Sequence, residues 1–401
     1  PLVLHNATPA ARRAGFKYLG YSVFGAGMAL AGYFFIAYYL TVPDFQPGGA
    51  IDFSRAAEHQ PLLLVAYCLM IVGFGAKAGM MPMQSWLPAA HPVAPAPASA
   101  VLSGVITKGG VVAVIRVTYY MFGPEFLAGS WPQYVLLTLT LATVFVGSML
   151  AYREKQLKRR LAYSTVSNLS YILFAAALMT TQALAASFLH LIVHSVVKIM
   201  AFFTAGAVLH YAHREYVPQL EGLGRYMPVT FACFTAAACA LTGIPPFHGF
   251  VSKWYIARAA VDIGGWLPLV GFAALLVSAL LTAVYMLRAS GAMDALAAAL
   301  APVLGLLGIP PETAALLLVR PVSGSGALAV GSQIMEQYGP DSAVGRTAAV
   351  MLGCSETTFY TVAVYFGAAG IRRTRYTIPA ALTADLAAFV AAAWAVRLCF
   401  G

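Results

Sequence analysis

Apolar residues along this chain form long unbroken stretches, and polar residues collect in the short intervals between them. Crossing a bilayer as a helix takes about 20 apolar residues. Stretches of that kind run over 18–40, 62–80, 95–122, 132–151, 161–180, 183–210 and 266–289, and a longer, broken one covers 227–262. The pattern predicts an all-α chain, a polytopic transmembrane helix bundle. Two segments, 62–90 and 227–262, are too long for one straight crossing, and each is interrupted by proline and glycine. The first contains Gly79-Met80-Met81-Pro82 and the second Gly243-Ile244-Pro245-Pro246-Phe247-His248-Gly249. Proline inside a helix removes a hydrogen bond and clashes with the preceding turn. Backbone groups freed in this way are tolerated at membrane depth only against protein or a wet cavity. Discontinuous helices at matching places in two halves mark ion or substrate sites in transporters. Pro82, Pro245, Pro246 and Gly249 are therefore expected to form functional helix breaks, with simple proline kinks as the alternative.

Composition narrows the class. Hydrophobic residues make up 60% of the chain and charged ones 9%, against about 25% charged in soluble proteins. That excludes a water-soluble enzyme, a nucleic-acid binder and a disordered regulator. The excess of 24 Lys+Arg over 14 Asp+Glu is the bias expected of loops facing the cytoplasm. Arg12, Arg13 and Lys17 precede the first stretch, and Arg153, Lys155, Lys158, Arg159 and Arg160 follow the fourth. Arg214 and Arg225 follow the sixth, so an even number of crossings separates successive clusters and all three fall on one side. A multi-pass protein of the bacterial cytoplasmic (inner) membrane is expected, surrounded by lipid and without a nucleic-acid partner. The five cysteines (Cys68, Cys233, Cys239, Cys354, Cys399) have no metal-like spacing and read as small buried hydrophobes. The chain starts at Pro1 with no signal-like segment, which reads as a start inside a larger protein.

Ionisable residues within membrane spans are costly, and they are functional by default. Here they are nearly all basic: Lys77, Lys108, Lys198 and Lys253, with His190 and His194. The spacing i, i+4, i+8 stacks His190, His194 and Lys198 on one helix face with about 6 Å of rise per step. Such a ladder suits proton passage, and buried lysines can serve as relays. For Lys77, snorkelling to the headgroups is the competing reading. Every acidic residue before position 288 falls in a loop or at a span end. The lysines are therefore either held neutral or compensated by a carboxylate from another segment or subunit.

The stretch Lys77-Ala-Gly-Met-Met-Pro-Met-Gln-Ser-Trp-Leu-Pro-Ala-Ala-His91-Pro-Val-Ala-Pro-Ala-Pro-Ala-Ser resembles a signature of antiporter-like subunits. These subunits occur in respiratory complex I, energy-converting hydrogenases and multisubunit sodium/proton antiporters. Lys108-Gly-Gly, Leu157-Lys-Arg-Arg-Leu-Ala-Tyr-Ser-Thr-Val-Ser-Asn168, His190…His194…Lys198 and Gly243-Ile-Pro-Pro-Phe-His-Gly-Phe-Val-Ser-Lys253-Trp254 match in the same order. The resemblance implies roughly fourteen helices in two inverted repeats, each with one broken helix. The spans here would be the sixth to the thirteenth. It assigns Lys77 and Lys108 to a first half-channel, Lys198 and the histidines to a central link, and Lys253 to the exit side. The family's conserved glutamate would lie before Pro1, and Gln84 stands near the place of its usual histidine.

From Arg288-Ala-Ser-Gly-Ala-Met-Asp294 onward the chain resembles spore maturation protein B, a gate-domain (nucleoside-recognition-like) membrane protein. Gly308-Ile-Pro-Pro-Glu312, Arg320-Pro-Val-Ser-Gly-Ser-Gly-Ala327, Tyr338-Gly-Pro-Asp-Ser342 and Ser355-Glu-Thr-Thr-Phe-Tyr360 carry this likeness. Ser323 and Ser325, with Glu356, Thr357 and Thr358, could line a polar solute pocket or satisfy one another as a buried structural cluster. Residues 1–288 thus read as an antiporter-like domain and 289–401 as a gate-like one. The joint has no polar connector, which points to a chimera made by recombination or gene assembly.

The leading expectation is proton, or sodium/proton, translocation by an antiporter-like subunit working with other membrane subunits of an ion-translocating complex. No flavin, haem or iron–sulfur motif is present. No cofactor or metal is expected, and any redox chemistry would belong to the partners. The runner-up is a gate-domain protein of sporulation in which residues 1–288 are passive scaffold.

Overall fold

A cap decides where the first helix begins. In the computed structural model, Thr8 Oγ1 accepts the Ala11 N–H at 3.1 Å, and Pro9 occupies the first helical position, where its missing N–H costs nothing. Helix α1 spans Pro9–Ala37. Arg12, Arg13 and Lys17 therefore lie inside its first turns and not ahead of it, because capping rather than hydrophobicity sets the start. The structure describes residues 2–41, 44–291, 300–321, 324–358, 361–362, 365–366 and 376–400.

The chain divides into two compact units, Pro1–Ala289 and Ser290–Gly401. After α1, the first unit contains α2 (Gln60–Ala78), α3 (Trp86–Val93) and α4 (Ala96–Phe122). Next come α5 (Trp131–Arg153), α6 (Leu157–Ala177) and α7 (Thr181–Ala212). The last three are α8 (Pro228–Thr242), α9 (His248–Ile263) and α10 (Trp266–Ala289). Among the described residues of the whole chain there is no strand, and seven helices are long and apolar enough to cross a membrane. The protein is a multi-pass integral membrane protein.

Packing follows from small residues. α1 and α2 cross at Gly25 and Gly73, where an added Cβ on Gly25 would stand 2.7 Å from the Gly73 carbonyl oxygen. Such close backbone approach drives helix association where no hydrophobic force between helices operates. α6 sits at the centre. Every residue from Leu157 to Ala177 is buried except Arg159 and Tyr163. It carries Ser164, Thr165, Ser167, Asn168, Ser170 and Tyr171, and it is too polar to count among the seven apolar spans. A helix surrounded by protein need not be apolar, because its neighbours rather than lipid meet its polar groups.

Both interrupted segments are broken helices. α2 ends at Gly79 (φ 75°), whose N–H bonds the Ala76 carbonyl at 3.2 Å, and Met80 N–H bonds that of Gly75 at 2.9 Å. α8 ends at Gly243 (φ 89°), where the N–H groups of Gly243 and Ile244 both bond the Cys239 carbonyl at 3.0 and 3.1 Å. The left-handed glycine satisfies carbonyls that the lost helix leaves open. Pro82, Pro245 and Pro246 lie in the two gaps, with cis peptides at Met81–Pro82 and Pro245–Pro246. Gly249 does not: it is in the first turn of α9, pressed so closely on the Ala240 carbonyl that a Cβ would overlap it. Its role is close packing, not breaking.

In the second unit, α11 (Leu300–Leu306) and α12 (Pro311–Leu317) meet at 114°. They are followed by α13 (Gly324–Tyr338), α14 (Ala343–Gly353) and α15 (Thr377–Phe400). The cysteines depart from expectation. All five are free, none is fully buried, and Cys354 and Cys399 are exposed: Cys354 lies just past the end of α14 and Cys399 in the last turn of α15.

Candidate functional site

Lys108 owes its setting to a defect in its own helix. Residues Leu102–Ile106 of α4 form a π-turn, in which the Thr107 N–H bonds the Leu102 carbonyl. The Ser103 carbonyl is thereby released from the regular ladder, and both Thr107 Oγ1 (3.2 Å) and the Lys108 amine donate to it. Turns of this kind cluster at functional sites. Lys108 is 5% exposed, so it does not snorkel.

On α7, His190, His194 and Lys198 are all buried, at 2%, 1% and 0% exposure. The two imidazoles stack with centroids 6.0 Å apart and planes 11° from parallel. His190 Nδ1 meets Ser252 Oγ of α9 at 2.9 Å. Both ring nitrogens of His194 and Nε2 of His190 have no protein partner. The Lys198 amine donates to the Leu161 carbonyl at 2.9 Å and to Ser164 Oγ, both on α6. The three ladder residues share a face, and no direct hydrogen bond is found between them among the described residues; a proton moving between them must cross through an intervening polar molecule or a side-chain rotation.

Lys253, five residues into α9, reaches back across the break. Its amine donates to the Leu241 carbonyl and to that of Thr242 at 3.2 Å. These are terminal carbonyls of α8, which have no intrahelical partner and carry the negative end of the helix dipole. The same amine lies 5.1 Å from the centroid of the Tyr171 ring. Lys77 lies in the last turn of α2. Its amine donates to Tyr18 OH at 2.6 Å and sits 4.8 Å from that ring's centroid. The residue is half-buried.

The acceptors of all four amines are carbonyls and hydroxyls. Among the described residues, the ion pairs of the first unit are Arg55–Asp52, Arg159–Glu154 and Arg258–Asp262, and none involves these lysines. Carbonyl and hydroxyl oxygens accept from the charged and from the uncharged amine, and they add no counter-charge as a carboxylate would.

Several residues of this interior were not singled out from the sequence. Asn168, fully buried on α6, donates to the Ser164 carbonyl at 2.7 Å, and its Oδ1 has no partner. His91, also fully buried, stacks on Phe202 with both ring nitrogens unpartnered. Ser252 and Tyr171 contact His190. The available signal was α6 itself, the least apolar span and the densest in hydroxyls.

The polar cluster expected in the second unit is reorganised. Glu356 is exposed and does not line a pocket, because it sits in the non-helical turn after α14 with its side chain outward. Thr357 and Thr358 are buried, and Thr358 Oγ1 donates to Asp385 on α15. Arg320 donates to the Ser355 carbonyl. Asp385, not Glu356, is the carboxylate of this region. Ser323 and the side chain of Ser325 lie outside the described residues.

Residues 2–282 match the family described as NADH:quinone oxidoreductase/Mrp antiporter, TM. Residues 267–372 match one described as nucleoside recognition, Gate, so the two matches share 267–282. NADH-quinone oxidoreductase subunit N of Desulforudis audaxviator (strain MP104C) is 36% identical over 231 residues, 57% of this chain and 45% of the relative. Hydrogenase-4 component B of Escherichia coli (strain K12) is 35% identical over 221 residues, 52% of this chain and 33% of the relative. The chain therefore spans less than half the length of these two curated relatives. A chain of the Mrp complex from Dietzia sp. DQ12-45-1b is similar in structure, with TM-score 0.63, 27% identity, and coverage of 71% of this chain and 51% of that one. A chain of the membrane-bound sulfane sulfur reductase, an archaeal respiratory membrane complex, gives TM-score 0.62 and 27% identity over 72% of this chain and 58% of its own.

Proposed function

Because the chain belongs to the NADH:quinone oxidoreductase/Mrp antiporter transmembrane family, we propose that its first unit moves protons across the bacterial cytoplasmic membrane. The route we assign runs through Lys77 and Lys108, then the His190/His194/Lys198 face of α7, then Lys253. The observation that carries this reading is the burial of Lys108, His190, His194 and Lys198 with no carboxylate partner among the described residues. Unpaired ionisable side chains at membrane depth are costly to keep, and transport is the common reason for keeping them.

The chain has no catalytic chemistry of its own in this account. It works beside other membrane subunits of an oxidoreductase, hydrogenase or antiporter assembly, which its relatives' names support. Sodium in exchange for protons is the variant that the Mrp likeness supports.

Proton flux into liposomes containing the full chain, driven by a potassium diffusion potential, tests the proposal. Lys108→Ala and Lys198→Ala are each expected to abolish the flux of the parent. Unchanged flux in both variants would leave the first unit as scaffold. That outcome favours a second reading, in which residues 290–401 act as a gate-like domain on a solute, supported by the Gate match and the buried Thr358–Asp385 pair.

A further inference from the structure

Lys198 is tied to a second line of polar groups that does not include the histidines. Its amine donates to Ser164 Oγ. Ser164 Oγ donates to the Leu161 carbonyl at 3.1 Å; near it, where Arg160 of α6 meets the Tyr285 carbonyl, the Tyr285 hydroxyl of α10 lies 3.2 Å from Thr282 Oγ1. One turn earlier on α10, Ser278 Oγ takes hydrogen bonds with Tyr171 OH of α6 and Ser148 Oγ of α5. Tyr171 is the ring beneath the Lys253 amine. The line therefore begins at Lys198 and ends beside Lys253.

Its members are as deeply buried as the ladder itself. Ser164, Thr282 and Tyr171 are fully buried, and Ser148, Ser278 and Tyr285 nearly so. Ser278, Thr282 and Tyr285 are spaced i, i+4, i+7, which puts them on one face of α10. Arg160 holds Tyr285 from the other side, donating to its backbone carbonyl at 3.1 Å with the guanidinium 5.9 Å from the ring centroid. The string has three gaps: Ser164 Oγ donates to the Leu161 carbonyl and not to Tyr285, Tyr171 meets Lys253 through its ring and not through its hydroxyl, and the third lies at Thr282. Thr282 Oγ1 donates to the Ser278 carbonyl at 2.7 Å and not to the Ser278 hydroxyl.

We propose that this α6–α10 seam of hydroxyls is a second proton branch, leading from Lys198 toward Lys253 independently of His190 and His194, with Thr282 as its switch. The proposal rests on the proton-translocation reading above. A protonated Lys198 passes one proton to Ser164 while the Ser164 hydroxyl, turned from the Leu161 carbonyl, passes its own to Tyr285, and Tyr285 passes its own to Thr282. When the Thr282 hydroxyl turns from the Ser278 carbonyl to the Ser278 oxygen, the string is closed as far as Tyr171, and the neutral Lys253 amine takes the last proton through an intervening water. Each hydroxyl forms one O–H bond and breaks one, and no electrons are exchanged. Buried hydroxyls in such a chain polarise one another, which favours concerted transfer. A structural seam would equally satisfy these groups, so the test must separate conduction from packing.

Full-length protein in liposomes is compared as parent, His194→Leu, and His194→Leu combined with Thr282→Val or with Thr282→Ser. His194→Leu is expected to keep part of the parent flux, carried by the seam. Thr282→Val, which keeps the shape and removes the hydroxyl, is expected to lower that remainder by about tenfold or more, the scale of a lost proton-transfer partner. Thr282→Ser is expected to restore it. Where Thr282→Val does not yield folded protein, Tyr285→Phe in the same background removes one oxygen with the ring kept and is expected to give the same loss. Flux abolished by His194→Leu alone, or unaffected by Thr282→Val or Tyr285→Phe, or not restored by Thr282→Ser, overturns the branch and leaves the ladder standing. A parent without flux overturns proton translocation itself, and the branch with it.

Discussion

Lys253 holds the two open carbonyls at the end of α8, so stability and transport meet in one amine. Lys253→Met is expected to leave those carbonyls without a donor, at a cost of about 1–3 kcal/mol, and to abolish flux. Lys253→Arg keeps the donor but carries a group that does not release its proton. It is therefore expected to keep the thermal midpoint near that of the parent and still lose flux. Parent-level flux in the Arg variant would show that Lys253 acts only as a cap. The lysines and histidines were legible in the sequence because an ionisable group within an apolar run stands out. Ser164, Ser252, Tyr171 and Asn168 were not, because hydroxyls and amides in helices commonly bond their own backbone and carry no such signal. Glu356 shows the converse limit: its charge was visible, but the turn that points it outward depends on where α14 ends.

Among the elements, the two breaks were readable from proline and glycine, because proline removes a helical hydrogen bond and glycine readily takes the left-handed turn that ends a helix. Gly79→Ala and Gly243→Ala are each expected to destabilise the protein by about 1–2 kcal/mol, the cost of a left-handed conformation for a residue with a Cβ. The Gly79 variant should be the worse, since its Cβ would overlap the Leu87 side chain, while that of Gly243 meets Lys253 Cδ at 3.2 Å. Thermal unfolding in detergent reads both, and equal midpoints for parent and variants would contradict the assignment. The start of α1 was less legible, since Thr8 and Pro9 cap an end that hydropathy does not mark. Thr8→Ala is expected to cost about 1 kcal/mol. α6 was found as a span, yet its central position could not be read, because which helix is enclosed depends on the packing of all the others.

At the level of the whole molecule, two family likenesses share α10: both matches cover 267–282, while the compact units part at Ala289 and Ser290. The seam residues Ser278, Thr282 and Tyr285 belong with the first unit. A chain ending after Ala289 is therefore expected to keep the proton flux of the full chain, and loss of flux on that truncation would show that residues 290–401 take part. We propose that the joint is a recombination or gene-assembly chimera and not an evolved fusion, and continuous genomic reads across it in independent isolates would contradict this. The central claim is that the buried bases of α7 lie on a water-connected path. His194 tests it best, because neither ring nitrogen has a protein partner and buried polar atoms of that kind are commonly met by water. In lipid-reconstituted protein labelled with nitrogen-15 at histidine, magnetization transferred from water should reach the His194 ring as fast as it reaches exposed His213, and the signal should vanish in His194→Leu. A His194 ring that stays dark to water while His213 responds would mean a dry, disconnected interior and would contradict the account.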